Sequence, residues 1–365
     1  MTQVPEKMRA FVLTGHGGMD KLVFHDDWPV PKPDAGEVLI RVHACGLNNT
    51  DVNTRTGWYS KAVSEATTGA AFDKVDADDP SWGGAPILFP RIQGADVAGT
   101  VVAVGENADA AMIGKRVMID TWLRDWDDPL NMNKCGYFGS ECDGGFAEFT
   151  KADQRNVHPV DCDLSHAELA TFATSYVTAE NMLNRAKVAE GDSVLITGAS
   201  GGVGSALIQL ANRRGAQTIA MASESKHDAV KAVGPHAILP RAPGSLKAAL
   251  DDAIGVETVS VVADVVGGEI WPALIDCLAR GGRYTCSGAI AGPLVQLDLR
   301  TLYLRDLTFT GATVVPPGTF ADLVGYIERG EIRPLLAETF PLEELHAAQQ
   351  AFIDKKHVGN IVVCL

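Results

Sequence analysis

Between residues 8 and 160 the apolar positions come in short runs separated by Gly and Pro, as at 9–13, 37–42, 99–104 and 116–119. Runs of that length and punctuation predict β-strands of a compact barrel or sandwich. Near residue 163 the texture changes. Strand-like runs at 193–197, 218–222, 259–264, 283–287 and 307–314 now alternate with helical periodicity at 202–214, 226–233 and 271–278. Repeated β-α units predict an α/β domain with a doubly wound parallel sheet. After Pro317 the pattern predicts helices over 320–329 and 342–355 and a last strand over 360–364. That tail is expected to rejoin the first domain. The domains predicted are 1–162 with 315–365, and 163–314.

Composition narrows what such a fold could do. The chain has 365 residues, 46% hydrophobic and 21% charged, with a formal net charge of −15. An average surface this acidic repels a phosphate backbone and an anionic bilayer, so neither nucleic acid nor membrane is an expected partner. No run approaches the ~20 apolar residues of a membrane span. The first ten residues lack an apolar signal core, and the seven cysteines are scattered and odd in number. Both predict a cytoplasmic, disulfide-free protein.

The strongest chemical motif is Val194-Leu-Ile-Thr-Gly-Ala-Ser-Gly-Gly-Val-Gly204-Ser. A strand feeds a glycine turn, which opens a helix. Glycines let the backbone approach a pyrophosphate, and free N–H groups at the helix start receive it. Ala199, Ser200, Gly201, Gly202, Val203 and Gly204 are therefore predicted cofactor contacts. The end of the next strand selects the dinucleotide, because an acid there binds the ribose 2′-OH of NAD. Here the strand ends in Ala222 and Ser223, with Lys226 just beyond and Arg241 after the following strand-like run. Ser223, Lys226 and Arg241 suit a 2′-phosphate, so NADPH is the predicted cofactor.

Further stretches agree in order: Gly36-Glu-Val-Leu-Ile, Gly46-Leu-Asn-Asn-Thr-Asp51, Gly94-Ala-Asp-Val-Ala-Gly99, Gly144-Gly-Phe-Ala-Glu148, Thr178-Ala, Asp264-Val-Val-Gly-Gly268 and Gly359-Asn-Ile-Val. With these the chain resembles the medium-chain dehydrogenase/reductase superfamily over essentially its whole length. Within it, the quinone oxidoreductase-like branch is most similar. The resemblance implies a GroES-like β-barrel domain and a Rossmann domain, with the active site between them. It implies that Thr178, Gly288 and Ala289 lie near the nicotinamide, that Val265 and Val266 form part of the cofactor cleft, and that Asn360 has a cofactor role. It also places Asn48 and Tyr59 beside nicotinamide and substrate, and gives Asp51 a loop-fixing role near them. The strand at 307–314 resembles the edge by which relatives pair, which implies a homodimer. Zinc-dependent relatives hold a catalytic metal at the places of Asn48, Ala95 with Asp96, and Thr174. An amide, a methyl and a hydroxyl replace soft or borderline ligands there, and no four-Cys lobe is present, so no metal is expected. The T-G-x-x-x-G-x-G turn also fits short-chain dehydrogenases. None of the six tyrosines has a Lys four residues on, as that family requires.

Without a Lewis acid, an unactivated ketone is a poor hydride acceptor, whereas a quinone or α,β-unsaturated carbonyl needs only hydrogen bonds to its developing enolate. NADPH-dependent reduction of such a small molecule is the expected activity. Asn48 would donate to ribose or carbonyl, and Tyr59 would donate a hydrogen bond or proton to the enolate. The alternatives are a metal-independent alcohol or aldehyde oxidoreductase and a non-catalytic NADPH sensor. One departure stands out: about thirty residues separate Tyr59 from Pro90 where relatives need roughly ten. This acidic segment, with Glu65, Asp73, Asp76, Asp78, Asp79 and Trp82, reads either as a lid shaping substrate choice or as a surface ornament.

Overall fold

Why the first ~160 residues need so many glycines becomes clear where the strands cross. A Cβ on Gly99 would lie 2.4 Å from the Arg41 carbonyl oxygen, so the Asp96–Val104 strand can lie against Glu37–Gly46 at that point only with hydrogen as its side chain. In the computed structural model, which describes residues 4–72, 75–76, 83 and 85–365, these two strands sit mid-way in a seven-stranded sheet. Its order is Leu336–Pro341, Asn360–Cys364, Glu37–Gly46, Asp96–Val104, Arg116–Ile119 and Val157–Pro159, with Phe149–Asp153 paired to Glu37–Gly46 as well. Bulges between Leu39 and Ile40 and between Val42 and Ala44 bend the central strand. Such bends let a sheet curl into a barrel. Ile40, Val42, Cys45, Val97, Val101, Phe146 and Ile361 fill the interior, each at most 2% exposed. The chain's tail does return here, since Asn360–Cys364 pairs antiparallel with Glu37–Gly46.

The second sheet has six parallel strands in the order Ala237–Pro240, Gln217–Ala222, Ser193–Ile196, Val259–Asp264, Leu278–Cys286, Thr308–Gly311. In chain order that is 3-2-1-4-5-6, the Rossmann arrangement. Its switch point, where ligands bind, lies between the Ser193–Ile196 and Val259–Asp264 strands. The fold is α/β: a Rossmann domain plus a GroES-like β-barrel domain. Described residues group into two units, Met1–Val63 with Thr68–Thr174 and Phe320–Leu365, and Ser64–Thr67 with Ser175–Thr319.

Three expectations need correction. The run at 307–314 is a strand only over Thr308–Gly311. Beyond it the Thr313 and Val314 carbonyls accept from Asn181 Nδ2 at 3.4 and 3.2 Å, and Arg185 Nη2 also donates to Val314, at 3.1 Å. Side chains of the Ala173–Arg185 helix thus take acceptors that a longer strand would present to a neighbour. The helix expected over 226–233 is a 3₁₀ turn, Glu224–Lys226, followed by the short helix His227–Lys231. The helix over 342–355 likewise starts with a 3₁₀ turn, Leu342–Glu344, before Leu345–Asp354. No helix among the described residues is long and apolar enough to cross a membrane.

Candidate active site

In the second unit the glycine turn is built as its sequence demands. Gly198 adopts φ 59°, in the left-handed region that glycine occupies without penalty. A Cβ on Gly204 would lie 2.3 Å from the Gly198 carbonyl and 2.6 Å from Ala199 Cα, so helix and turn can touch only through glycine. Gly201 caps the Gly202–Arg213 helix in extended conformation. Ala199 is buried, while Ser200, Gly201, Gly202 and Val203 are half-buried at the helix start.

Beside this turn stands a group that sequence reasoning saw only as part of a motif. Asp264 is wholly buried. Its Oδ1 accepts from Thr197 Oγ1 at 2.6 Å and from the Val266 N–H at 2.8 Å. The Gly267 N–H reaches both oxygens at 3.2 Å, and the Tyr284 hydroxyl donates to Oδ2 at 2.8 Å. Thr197 Oγ1 in turn accepts the Val265 N–H at 3.1 Å. One carboxylate therefore ties the Thr197 turn to the Val265-Val266 loop across the switch point. Burial, then the charge of Asp264, pushes the Tyr284 phenol far above its ordinary range. Gly288 fits closely against the same loop, since a Cβ there would lie 3.0 Å from the Val265 carbonyl. Gly288 and Ala289 are half-buried, as is Thr178 on the Ala173–Arg185 helix.

At the end of the Gln217–Ala222 strand, Ser223 is extended, and its carbonyl accepts the Lys226 N–H at 2.9 Å. Burial and then the positive charge of Arg241 lower the Lys226 ammonium below its usual pKa. The charge of Arg241 is thus felt at Lys226, the other cation named from sequence. Glu224 is exposed.

In the first unit the polar residues form a buried cluster. Asn48 caps the Asn49–Thr56 helix, and its N–H donates to Asp51 Oδ2 at 2.7 Å. Gly57, at φ 77°, ends that helix two residues before Tyr59. Burial raises the Asp51 carboxyl to about 7; N–H groups of Asn48 and Gly94 oppose this and neighbouring Asp96 adds to it. Burial likewise raises Asp96 to about 6, against hydrogen bonds from Thr174 and the Asn48 side chain. Asp96 Oδ1 accepts the Thr174 N–H at 2.9 Å and also the Thr174 hydroxyl. Tyr137 OH lies 2.5 Å from Thr174 Oγ1. Asp96 Oδ2 and Asn48 Nδ2 make no hydrogen bond of normal geometry, although the Asn48 amide lies close enough to lower the Asp96 pKa. Burial raises the Tyr59 phenol to about 12, while Asn53 holds it down and Asp51 pushes it up.

Not every named residue joins these groups. Asn360 is buried in the first unit, where its amide donates to the Thr171 carbonyl. Cys45 belongs to the barrel core, and its thiol is pushed well above its usual range, first by burial and then by Asp51 and Asp96. Asp73, Asp78, Asp79 and Trp82 lie outside the described residues, whereas Glu65 and Asp76 are exposed. Sequence reading undervalued Tyr137, whose position after a Gly in a loop-rich stretch gave no signal. It read Asp96 and Thr174 only as failed metal ligands.

The geometry meets its relatives here. Residues 34–162 match the family described as alcohol dehydrogenase GroES-like domain, and residues 202–329 that described as zinc-binding dehydrogenase. The chain belongs to the medium-chain dehydrogenase/reductase superfamily, in its quinone oxidoreductase-like branch, and is an oxidoreductase. Among particular relatives, the quinone oxidoreductase of Mus musculus is 27% identical over 95% of this chain and 94% of its own. The acryloyl-coenzyme A reductase of Metallosphaera sedula is 26% identical over 98% of this chain and 99% of its own. A solved structure of a putative alcohol dehydrogenase from Sinorhizobium meliloti 1021 superposes with TM-score 0.91 at 47% identity, covering 100% of this chain and 98% of that one.

Proposed function

We propose that the chain reduces a quinone or an α,β-unsaturated carbonyl with NADPH and without a catalytic metal. The observation that carries this reading is the buried cluster of Asn48, Asp96 and Thr174, the residues that the resemblance sets where zinc-dependent relatives hold their ion: Asp96 accepts both Thr174 donors, and the Tyr137 hydroxyl bonds Thr174 Oγ1. An amide, a hydroxyl and one carboxylate lack the thiolate and imidazole donors that a tetrahedral zinc site uses. Among the described residues no group of three or more His, Cys, Asp or Glu is arranged to hold a metal. The names of the mouse and Metallosphaera relatives point to the same acceptors, a quinone and an acryloyl thioester.

NADPH, when bound, supplies the hydride. The Thr197–Gly202 turn receives its pyrophosphate on backbone N–H groups, and Ser223, Lys226 and Arg241 receive its 2′-phosphate. A phosphate between two mutually repelling cations is attracted by both and relieves their repulsion. Asn48 Nδ2 donates to the substrate carbonyl or the ribose. Tyr59, with a phenol held neutral throughout the physiological range, donates to the enolate oxygen. Asp51 holds the Asn48 backbone. A second copy of the chain pairs along the Thr308–Gly311 edge, beside the exposed Leu294, Leu299, Tyr303 and Leu304. Light scattering reads the resulting mass, with a monomer contradicting the dimer.

The test is oxidation of NADPH and of NADH against quinones, enones, acryloyl-CoA and alcohols, on protein treated with chelator and assayed for bound metal. Retained quinone or enone turnover with NADPH supports the reading. Activity that disappears with a stoichiometric metal and returns with it overturns it. The Sinorhizobium structure's name favours a second reading, alcohol oxidation, which the alcohols in the same assay detect.

A further inference from the structure

Ser64–Thr67 lies between Tyr59 and Pro90, in the segment that the resemblance marks as longer than in relatives, yet it groups with the second unit. It does so through a backbone bond: the Thr67 N–H donates to the Ile290 carbonyl at 3.0 Å. Ile290 sits in a turn that is itself fastened to the cofactor loop. The Ala291 N–H donates to the Val266 carbonyl at 2.8 Å, and the Gly268 N–H to the Gly292 carbonyl at 3.2 Å. The fit leaves no slack. Gly267 and Gly268 both have positive φ, and a Cβ on Gly268 would lie 2.7 Å from the Ala291 carbonyl. Val266 is anchored on Asp264, and Asp264 on Thr197 of the glycine turn.

A continuous series of short bonds therefore runs from Thr67 through Ile290 and Val266 to the dinucleotide turn. At its outer end Thr67 Oγ1 is buried and has no hydrogen-bond partner. A hydroxyl without a partner is a costly feature of an interior, unless a bound molecule satisfies it. Gly288, Ala289 and Ile290 beside it are half-buried, so the turn keeps an open side.

We propose that Ser64–Thr67 is a clasp that positions the nicotinamide half of the bound cofactor: Thr67 fixes the Ile290 turn through its N–H. The inference rests on the nicotinamide reading above and assigns a role to part of the inserted segment. Thr67 is a positioning residue, acting through the Gly288–Ile290 backbone.

The two halves of the cofactor can be tested separately. Thr67→Pro removes the N–H and leaves the Ile290 carbonyl without its donor. NADPH is expected to bind about tenfold more weakly, the scale of one lost hydrogen bond with an unsatisfied partner. 2′,5′-ADP, which carries the phosphates and adenosine but no nicotinamide, is expected to bind Thr67→Pro as it binds wild type. Thr67→Val keeps the N–H and is expected to lose less than Thr67→Pro. Equal weakening of both ligands, or unchanged NADPH affinity, overturns the clasp. Hydrogen exchange on the wild-type protein needs no variant: the Thr67 amide slows on adding NADPH if the clasp holds, and unchanged exchange overturns it. Failure of wild type to bind 2′,5′-ADP would instead count against the phosphorylated cofactor and is visible separately.

Discussion

Asp264 and Asp96 are both buried carboxylates at the heart of their units, but they are surrounded differently. Asp264 is saturated: hydroxyls of Thr197 and Tyr284 and N–H groups of Val266 and Gly267 use both of its oxygens. Asp96 takes both Thr174 donors on one oxygen and leaves the other without a normal hydrogen bond, next to the carboxyl of Asp51. A saturated carboxylate holds a shape. A half-satisfied one beside a second acid keeps capacity for a ligand or a proton, and buried polar groups with spare capacity concentrate at functional sites. On the proposed reading the Rossmann turn is organised for rigidity, and the barrel cluster for chemistry.

Removing each acid should separate the two roles, and the largest effect is expected at the rigid one. Asp264→Ala strands at least four donors at once in a dry interior. Loss of about 3–5 kcal/mol of stability is expected, the range for breaking a buried polar network. Urea unfolding measures it, with Thr197→Val as the milder member of the series. An Asp264→Ala protein as stable as wild type would mean that the turn is held by packing alone.

Asp96→Asn is close in shape and should spare the fold. Its expected cost is in turnover: kcat lower by about 10²–10³, the scale of losing one preorganised polar group in a low-dielectric site, with NADPH affinity unchanged. Single-turnover hydride transfer, followed by nicotinamide absorbance, reads the chemical step directly. A change in NADPH binding with no change in kcat would reverse the proposed division of labour.

The same division explains what could be read from sequence. Glycines at 198 and 204 leave a trace because geometry forbids alternatives: Gly198 has positive φ, and Gly204 touches Gly198 and Ala199 at distances no Cβ permits. The strands themselves followed from their apolar runs, since each buried parallel strand must be apolar along its length; their order in the sheet did not. The cluster around Asp96 left only a negative trace, the missing metal donors. Thr174, Tyr137 and Asp96 come from a helix, a two-stranded ribbon and the seven-stranded sheet, and only the tertiary fold brings them within hydrogen-bond reach. Asn360 shows the reverse limit: its motif was legible, while the bond its amide donates to the Thr171 carbonyl was not. The strand end at Gly311 was equally invisible, because Asn181 and Arg185, more than a hundred residues earlier, take the carbonyls that follow.

A smaller effect is expected at the edge of the cofactor site. Lys226→Glu puts an anion where the 2′-phosphate is proposed to sit and turns the repulsion with Arg241 into attraction. The ratio of NADPH to NADH affinity should fall by at least about tenfold, as loss of one charge-assisted contact implies. Fluorescence titration with both cofactors measures it. Equal weakening of the two would remove the case for a phosphate site.

The smallest effect concerns pH, where the first unit carries opposing titrations. Asp51 and Asp96 have pKa values raised by burial to about 7 and about 6, above those of an unfolded chain. Groups of that kind contribute stability that is full below the unfolded carboxyl pKa of about 4 and is lost as pH rises through the folded values. His166 runs the other way. Burial first, then the charges of His43 and Arg116, lowers it to about 4, so its contribution is full above about 6.5 and is lost as pH falls toward 4. The two trends oppose each other between about pH 4 and 6.5, which flattens the wild-type profile. Asp51→Asn keeps an oxygen to accept the Asn48 N–H and abolishes only the titration. It should therefore tilt the profile so that stability relative to wild type grows from pH 5 to pH 8. Urea midpoints at half-unit pH intervals detect such a tilt. A difference between Asp51→Asn and wild type that stays constant across that range would show that Asp51 keeps an ordinary carboxyl pKa, and with it the premise that the barrel cluster holds its acids in reserve would fail.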